Sequence, residues 1–145
     1  MMRAALMMMA LAPAYVFAAM PGSECASPGG YVEGMLLTHM KNDLGIDLTS
    51  IQYNKTTVEV LDVKPVSDFF ARTLAIADSK NNAVAALTEQ QYYGIYHESH
   101  VVNVTAKYTF TNKENKRSTF ISSALANDDE CSVRYNGYLT LSREF

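Results

Sequence analysis

Apolar residues change their spacing several times along this chain of 145 residues. Residues 4 to 19 carry no charge and are almost wholly Ala, Leu and Met. From Val32 the spacing becomes helical. Val32, Leu36, Met40 and Leu44 recur every four positions with Met35 beside them, which predicts a helix over 31–44 closed by Gly45. The β-branched run 56–63 predicts a strand that Pro65 stops. Ser67 then reads as a helix N-cap, with Asp68 in the first turn where the helix dipole favours an anion. Phe69, Phe70, Thr73, Leu74, Ile76 and Ala77 carry a helical period to about residue 78, although an alternating strand fits them too. Residues 79–82 read as a turn. Residues 83–93 suit helix or strand, since good helix formers give way to aromatics before Gly94.

The second half alternates. Val102, Val104, Ala106, Tyr108 and Phe110 interleave with Asn103, Thr105, Lys107 and Thr109, the pattern of a half-buried antiparallel strand. A polar turn at 112–116, a strand over 117–125, an acidic turn at 127–130 and a strand over 131–135 follow. Asn136-Gly137 suggests a hairpin. A three-residue loop, Tyr135 to Gly137, would place Cys131, Val133, Leu139 and Leu141 on one buried face, which a two-residue loop would not. The expected fold is α+β: N-terminal helices covering one face of a C-terminal antiparallel meander of three to four strands.

The uncharged opening follows Met1-Met2-Arg3, is broken by Pro13 and ends in small residues. It falls short of the about 20 apolar residues a membrane span needs. This predicts a cleavable signal peptide over 1–18, a lead-in over 19–30 and a single domain over 31–145. Cleavage after Ala18 puts Val16 and Ala18 at the positions the peptidase reads. Glu24 before Cys25 argues against lipidation. The expected location is the periplasm or outside the cell, with no stable membrane insertion after cleavage.

Export changes the meaning of the two cysteines. Cys25 and Cys131 lie near opposite ends of the mature chain and read as a disulfide tying the lead-in to the third meander strand. Charge excludes a partner class. The chain has 12 basic and 15 acidic residues, a net −3, with no basic cluster, which is poor footing for nucleic acid.

No catalytic constellation emerges, and no cofactor or metal site is expected. His97-Glu98-Ser99-His100 lacks the zinc-protease spacing, and on a strand its histidines would face opposite sides. A small secreted hydrolase using His97 or His100 would need a tight turn to bring them together. His39, on the flank of the first helix, reads as a packing residue. The acidic run 128–130 lacks calcium-loop spacing. Asn54 and Asn103 fit the glycosylation pattern, which matters only in a glycosylating host.

The densest aromatic stretch is Gln91 to His97. Tyrosines supply contact area with a polar tip and are enriched at interfaces, so Tyr92, Tyr93, Tyr96 and His97 are the candidate partner-binding residues. Residues Tyr92 to Glu98 resemble a stretch of the colicin M immunity protein and YebF group of small periplasmic proteins. The plan is similar too: an export signal, a cysteine before a first helix, a late cysteine and an antiparallel sheet. In that group the aromatic stretch adjoins the second cysteine, whereas here Cys131 lies well downstream. The resemblance implies a non-catalytic periplasmic binder that neutralises a toxin. The expected function is an exported inhibitor, immunity or accessory protein that contacts another protein. A component of an envelope secretion or adhesion assembly is the alternative.

Overall fold

The computed structural model describes residues 21–81 and 87–145. The expected signal peptide lies outside them, as do residues 19–20 of the lead-in and part of the ambiguous stretch 83–93. The elements run α1 (Tyr31–Leu44), β1 (Thr57–Pro65), α2 (Asp68–Lys80), α3 (Glu89–His97), β2 (Val102–Thr111), β3 (Arg117–Ala126) and β4 (Arg134–Ser142). The four strands form one antiparallel sheet in the order β1-β2-β3-β4, so the fold is α+β as expected.

β2 alternates as its sequence demands. Val104, Ala106, Tyr108 and Phe110 are fully buried and face α1, where Val32, Leu36 and Met40 complete the main core. Gly45 closes α1 in the left-handed conformation that glycine adopts without a Cβ clash. At the other end Glu33 reaches back to the backbone N–H of Gly29, the residue before the N-cap Gly30.

The helices do not share one face. Leu125 has the opposite parity to Ala124 and Ala126 on β3, and it joins a second cluster with Val66, Ala71, Ala75, Tyr96 and Val101. α1 therefore covers one side of the sheet, and the α2–α3 hairpin covers a corner of the other. The rest of that second side is half-open: Thr109, Thr119 and Ile121 are only partly buried there, and Leu139 is exposed.

The expected bounds shift at several points. β1 runs through Pro65, whose missing N–H is tolerated at the end of an edge strand. α2 continues to Lys80, beyond the expected stop at 78, so Ser79 and Lys80 are helical. Its core face is Ala71 and Ala75, with Phe70 and Leu74 beside them, whereas Phe69 and Ile76 point to solvent. Gly94 lies inside α3 and does not end an element.

The hairpin expected at Asn136-Gly137 does not form, because β4 runs straight through both residues. The register slips between Ser123 and Ala124, and Gly137 takes φ of 117° at the resulting bulge. The Asn136 side chain explains the choice. It accepts from Arg134 at 2.7 Å and donates to Asn103 at 2.8 Å, which holds the pair inside the sheet. Val133 consequently packs in the second cluster, while Leu139 and Leu141 are exposed, and the expected common buried face is absent.

The Cys25–Cys131 disulfide is present. Cys131 lies in the loop before β4, not in a strand. The lead-in is docked by more than this bond: a 3-10 turn at Ser23–Ala26 is buried at Cys25 and Ala26, and the Tyr108 hydroxyl donates to the Ala26 carbonyl at 2.9 Å.

Candidate functional site: the outer face of the α2–α3 hairpin

α3 starts at a complete capping box. Thr88 accepts from the Gln91 N–H, and the Gln91 side chain accepts from the Thr88 N–H. Four tyrosine and histidine rings then pair at i, i+4. Tyr92 stacks on Tyr96 at 5.8 Å between centroids, and Tyr93 on His97 at 5.1 Å. The first pair leans inward; in the second, Tyr93 is half-buried against the second cluster and His97 is exposed.

The inward pair serves the fold. Tyr96 is buried, and its hydroxyl donates to Asp78 at 2.7 Å. Arg134 grips the same carboxylate twice, at 2.6 and 2.9 Å. This node joins α2, α3 and β4. Donation from Arg134 holds the Asp78 carboxyl below the usual carboxylate range. Burial, then the bond to Asp78, pushes the Tyr96 hydroxyl up. Tyr96 is thus a packing residue with its polar tip occupied. Tyr92 is half-buried on the same flank.

The second pair is backed by an ion pair. The Tyr93 hydroxyl donates to Asp68 at 2.7 Å, Arg72 donates to Asp68 at 3.0 Å, and the Arg72 guanidinium lies 4.5 Å from the Tyr93 ring centroid. The bonds from Arg72 and then Tyr93 lower the Asp68 carboxyl, and the bond to Asp68 raises the Tyr93 hydroxyl. Phe69 and Ile76, seven residues apart on α2, stand beside Arg72 on the exposed side of the helix, with Phe69 80% exposed. The face therefore combines a bare phenylalanine, an arginine, a tyrosine and a histidine, with the Arg72 and Tyr93 tips held by Asp68 before any contact is made.

Of the residues expected from sequence, Tyr93 and His97 reach this face, Tyr92 lies at its margin and Tyr96 faces inward. Phe69, Arg72 and Asp68 were missed. Asp68 and Arg72 carry a legible signal in their i, i+4 spacing. Phe69 belongs to the apolar period of α2, which by itself does not tell an exposed position from a buried one.

The other candidates lie elsewhere. His97 ends α3, His100 begins the approach to β2, and both are exposed. Ser99 and His100 take left-handed φ of 61° and 54°. His100 pairs with Asp128 at 2.9 Å, with side chains 87% and 67% exposed, at a cleft of about 120 Å³ lined also by Pro21, Gly22, Glu24, Val102 and Asn127. That lining includes no hydroxyl or thiol nucleophile. Among the described residues, no group of three or more His, Cys, Asp or Glu could hold a metal, and no helix is long and apolar enough to cross a membrane. His39 bonds Asp43 at 2.8 Å and stacks on Tyr135, joining α1 to β4 as a packing residue. Asn103 is engaged within the sheet by Ser123 and Asn136, whereas Asn54 is exposed.

No family model, curated protein or solved structure matches the chain. The functional reading therefore rests on these surfaces.

Proposed function

We propose that this chain is an exported binding module, an inhibitor, immunity or accessory protein, that contacts another protein through the outer face of the α2–α3 hairpin. Phe69 carries the reading. Phe69, 80% exposed, shares the outer side of α2 with Ile76 and stands beside Arg72, Tyr93 and His97, and apolar groups rimmed by polar and aromatic ones are what partner surfaces present. Tyr and Arg dominate interface energetics, and side chains fixed by Asp68 lose little further freedom on binding. The stapled core and the resemblance of Tyr92–Glu98 to periplasmic immunity proteins support the same class and a periplasmic or extracellular site of action.

The test is capture of a stoichiometric partner from envelope or culture fluid by the wild type and by Phe69→Ala and Arg72→Ala. Both changes lie on the surface, so melting should not move. Loss of capture by at least tenfold supports the face. Capture unchanged in both variants overturns it.

A further inference from the structure

We infer that the outer edge of β4 is a self-association seam, occupied by β4 of a second copy of this chain running antiparallel about Thr140. An open sheet edge presents backbone donors and acceptors that another extended strand satisfies. The two edges of this sheet differ. β1 carries Glu59, Asp62 and Lys64 and closes on Pro65, all of which discourage an added strand. From Tyr138 to Ser142, β4 has no charge, and Leu139 and Leu141 are 60% and 50% exposed. β3 offers Leu141 no partner, since Thr140 pairs with Phe120 and Ser142 with Thr119.

Symmetry and charge name the occupant. Read outward from Thr140, the edge has a leucine on each side. Antiparallel pairing about Thr140 sets each Leu139 opposite the other copy's Leu141. Beside Leu139 lies an open depression of about 250 Å³ lined by Ile121, Ser123, Asn136, Gly137 and Tyr138, over which that Leu141 falls. The flanks agree. β4 ends at Ser142, beyond which Glu144 accepts from the Arg117 N–H and Arg143 donates to the Leu44 carbonyl, and Arg134 is held by Asp78, so no like charges meet across the seam. Pairing β1 with itself about Leu61 would instead set Asp62 against Val60 and Lys64 against Val58. The result at β4 is a two-fold dimer with one continuous sheet. The bulge at Leu141 increases local twist and confines pairing to this short stretch.

Sedimentation equilibrium of the purified, oxidised protein from low micromolar to about 1 mM tests this. The expected species at high concentration has twice the monomer mass. Leu139→Lys and Leu141→Lys should each raise the dissociation constant at least tenfold with an unchanged circular dichroism spectrum. Thr140→Cys should give a covalent dimer on oxidation, because opposed residues in such a pair lie about 4.5–5.5 Å apart, within disulfide reach. Thr57→Cys, on the other edge, should not. A monomer throughout the range, a dimer indifferent to both lysines, or cross-linking through Thr57→Cys in place of Thr140→Cys would overturn the inference.

Discussion

Replacing Arg134 by Met should destabilise this protein by about 2–3 kcal/mol. The substitution keeps most of the side-chain volume and removes both bonds to Asp78, leaving that carboxylate with the Tyr96 hydroxyl alone. Breaking a buried pair costs about 3–5 kcal/mol, because the surviving charge is stranded. An exposed pair contributes about 0.2–1 kcal/mol. Both side chains of this pair are 20% exposed, closer to the first case than to the second. For a chain of this size the loss corresponds to a fall in Tm of roughly 5–10 °C.

Two controls separate the charge from the packing. Arg134→Met combined with Asp78→Leu and Tyr96→Phe removes the carboxylate together with both of its donors, so it should be more stable than Arg134→Met alone. The effect should also depend on pH. The Asp78 carboxyl is lowered in the folded state, so its contribution is present above the unfolded carboxylate pKa of about 3.9 and is lost as pH falls through the folded value. The gap between wild type and Arg134→Met should therefore narrow below about pH 4. Urea unfolding at pH 7 and pH 3 measures both. A gap under about 0.5 kcal/mol at pH 7, or one that does not change with pH, would refute the argument.

The disulfide spans 106 residues, and chain entropy assigns a loop of that size about 4–5 kcal/mol. Replacing Cys25 and Cys131 by Ser should lower Tm by roughly 10 °C or more, and a fall below about 3 °C would show the bond to be idle. Gly22→Ala should cost about 1–3 kcal/mol in urea unfolding, since φ is +92° and the new Cβ would lie 2.8 Å from Val102 Cγ2. An unchanged midpoint would mean that the lead-in is undocked in solution.

Much of the scaffold was legible because strong periodicity has one physical solution. β2 alternates strictly and buries each residue of its apolar set from Val104 to Phe110. α1 repeats every four residues and ends at the glycine that fits a left-handed cap. α2 was legible as a helix from its Ser67 cap and its period, but it carries two apolar stripes and hydrophobicity alone does not say which is buried. The larger one, with Phe69 and Ile76, attracts a reading based on hydrophobicity. The smaller one, Ala71 and Ala75, is buried because small side chains let α3 approach closely. Asn136-Gly137 misled for a related reason. The dipeptide suits a turn, but glycine's freedom at positive φ serves a bulge equally well, and bonds from Asn136 to Arg134 and Asn103 decide between them. Those partners are distant in sequence and leave no local trace. At the candidate site, tyrosine density located α3, yet the direction of each ring depended on Asp68 and Asp78, which take the hydroxyls of Tyr93 and Tyr96 respectively.

These two aspartates divide the hairpin between its two tasks. Asp78 faces inward and binds α2 and α3 to β4 through Tyr96 and Arg134, so the hairpin is fixed to a sheet that α1 supports from the other side. Asp68 faces outward and orders Arg72 and Tyr93 beside Phe69. Ten residues separate them, nearly three turns, so one helix carries both an anchor and a presented surface. Phe69 and Ile76 repeat with helical period because α2 has two faces to satisfy, and only one of them belongs to the core. On the proposed function, a contact surface held rigid from behind gives one role to the exposed Phe69, the Arg72–Tyr93 contact and the inward turn of Tyr96.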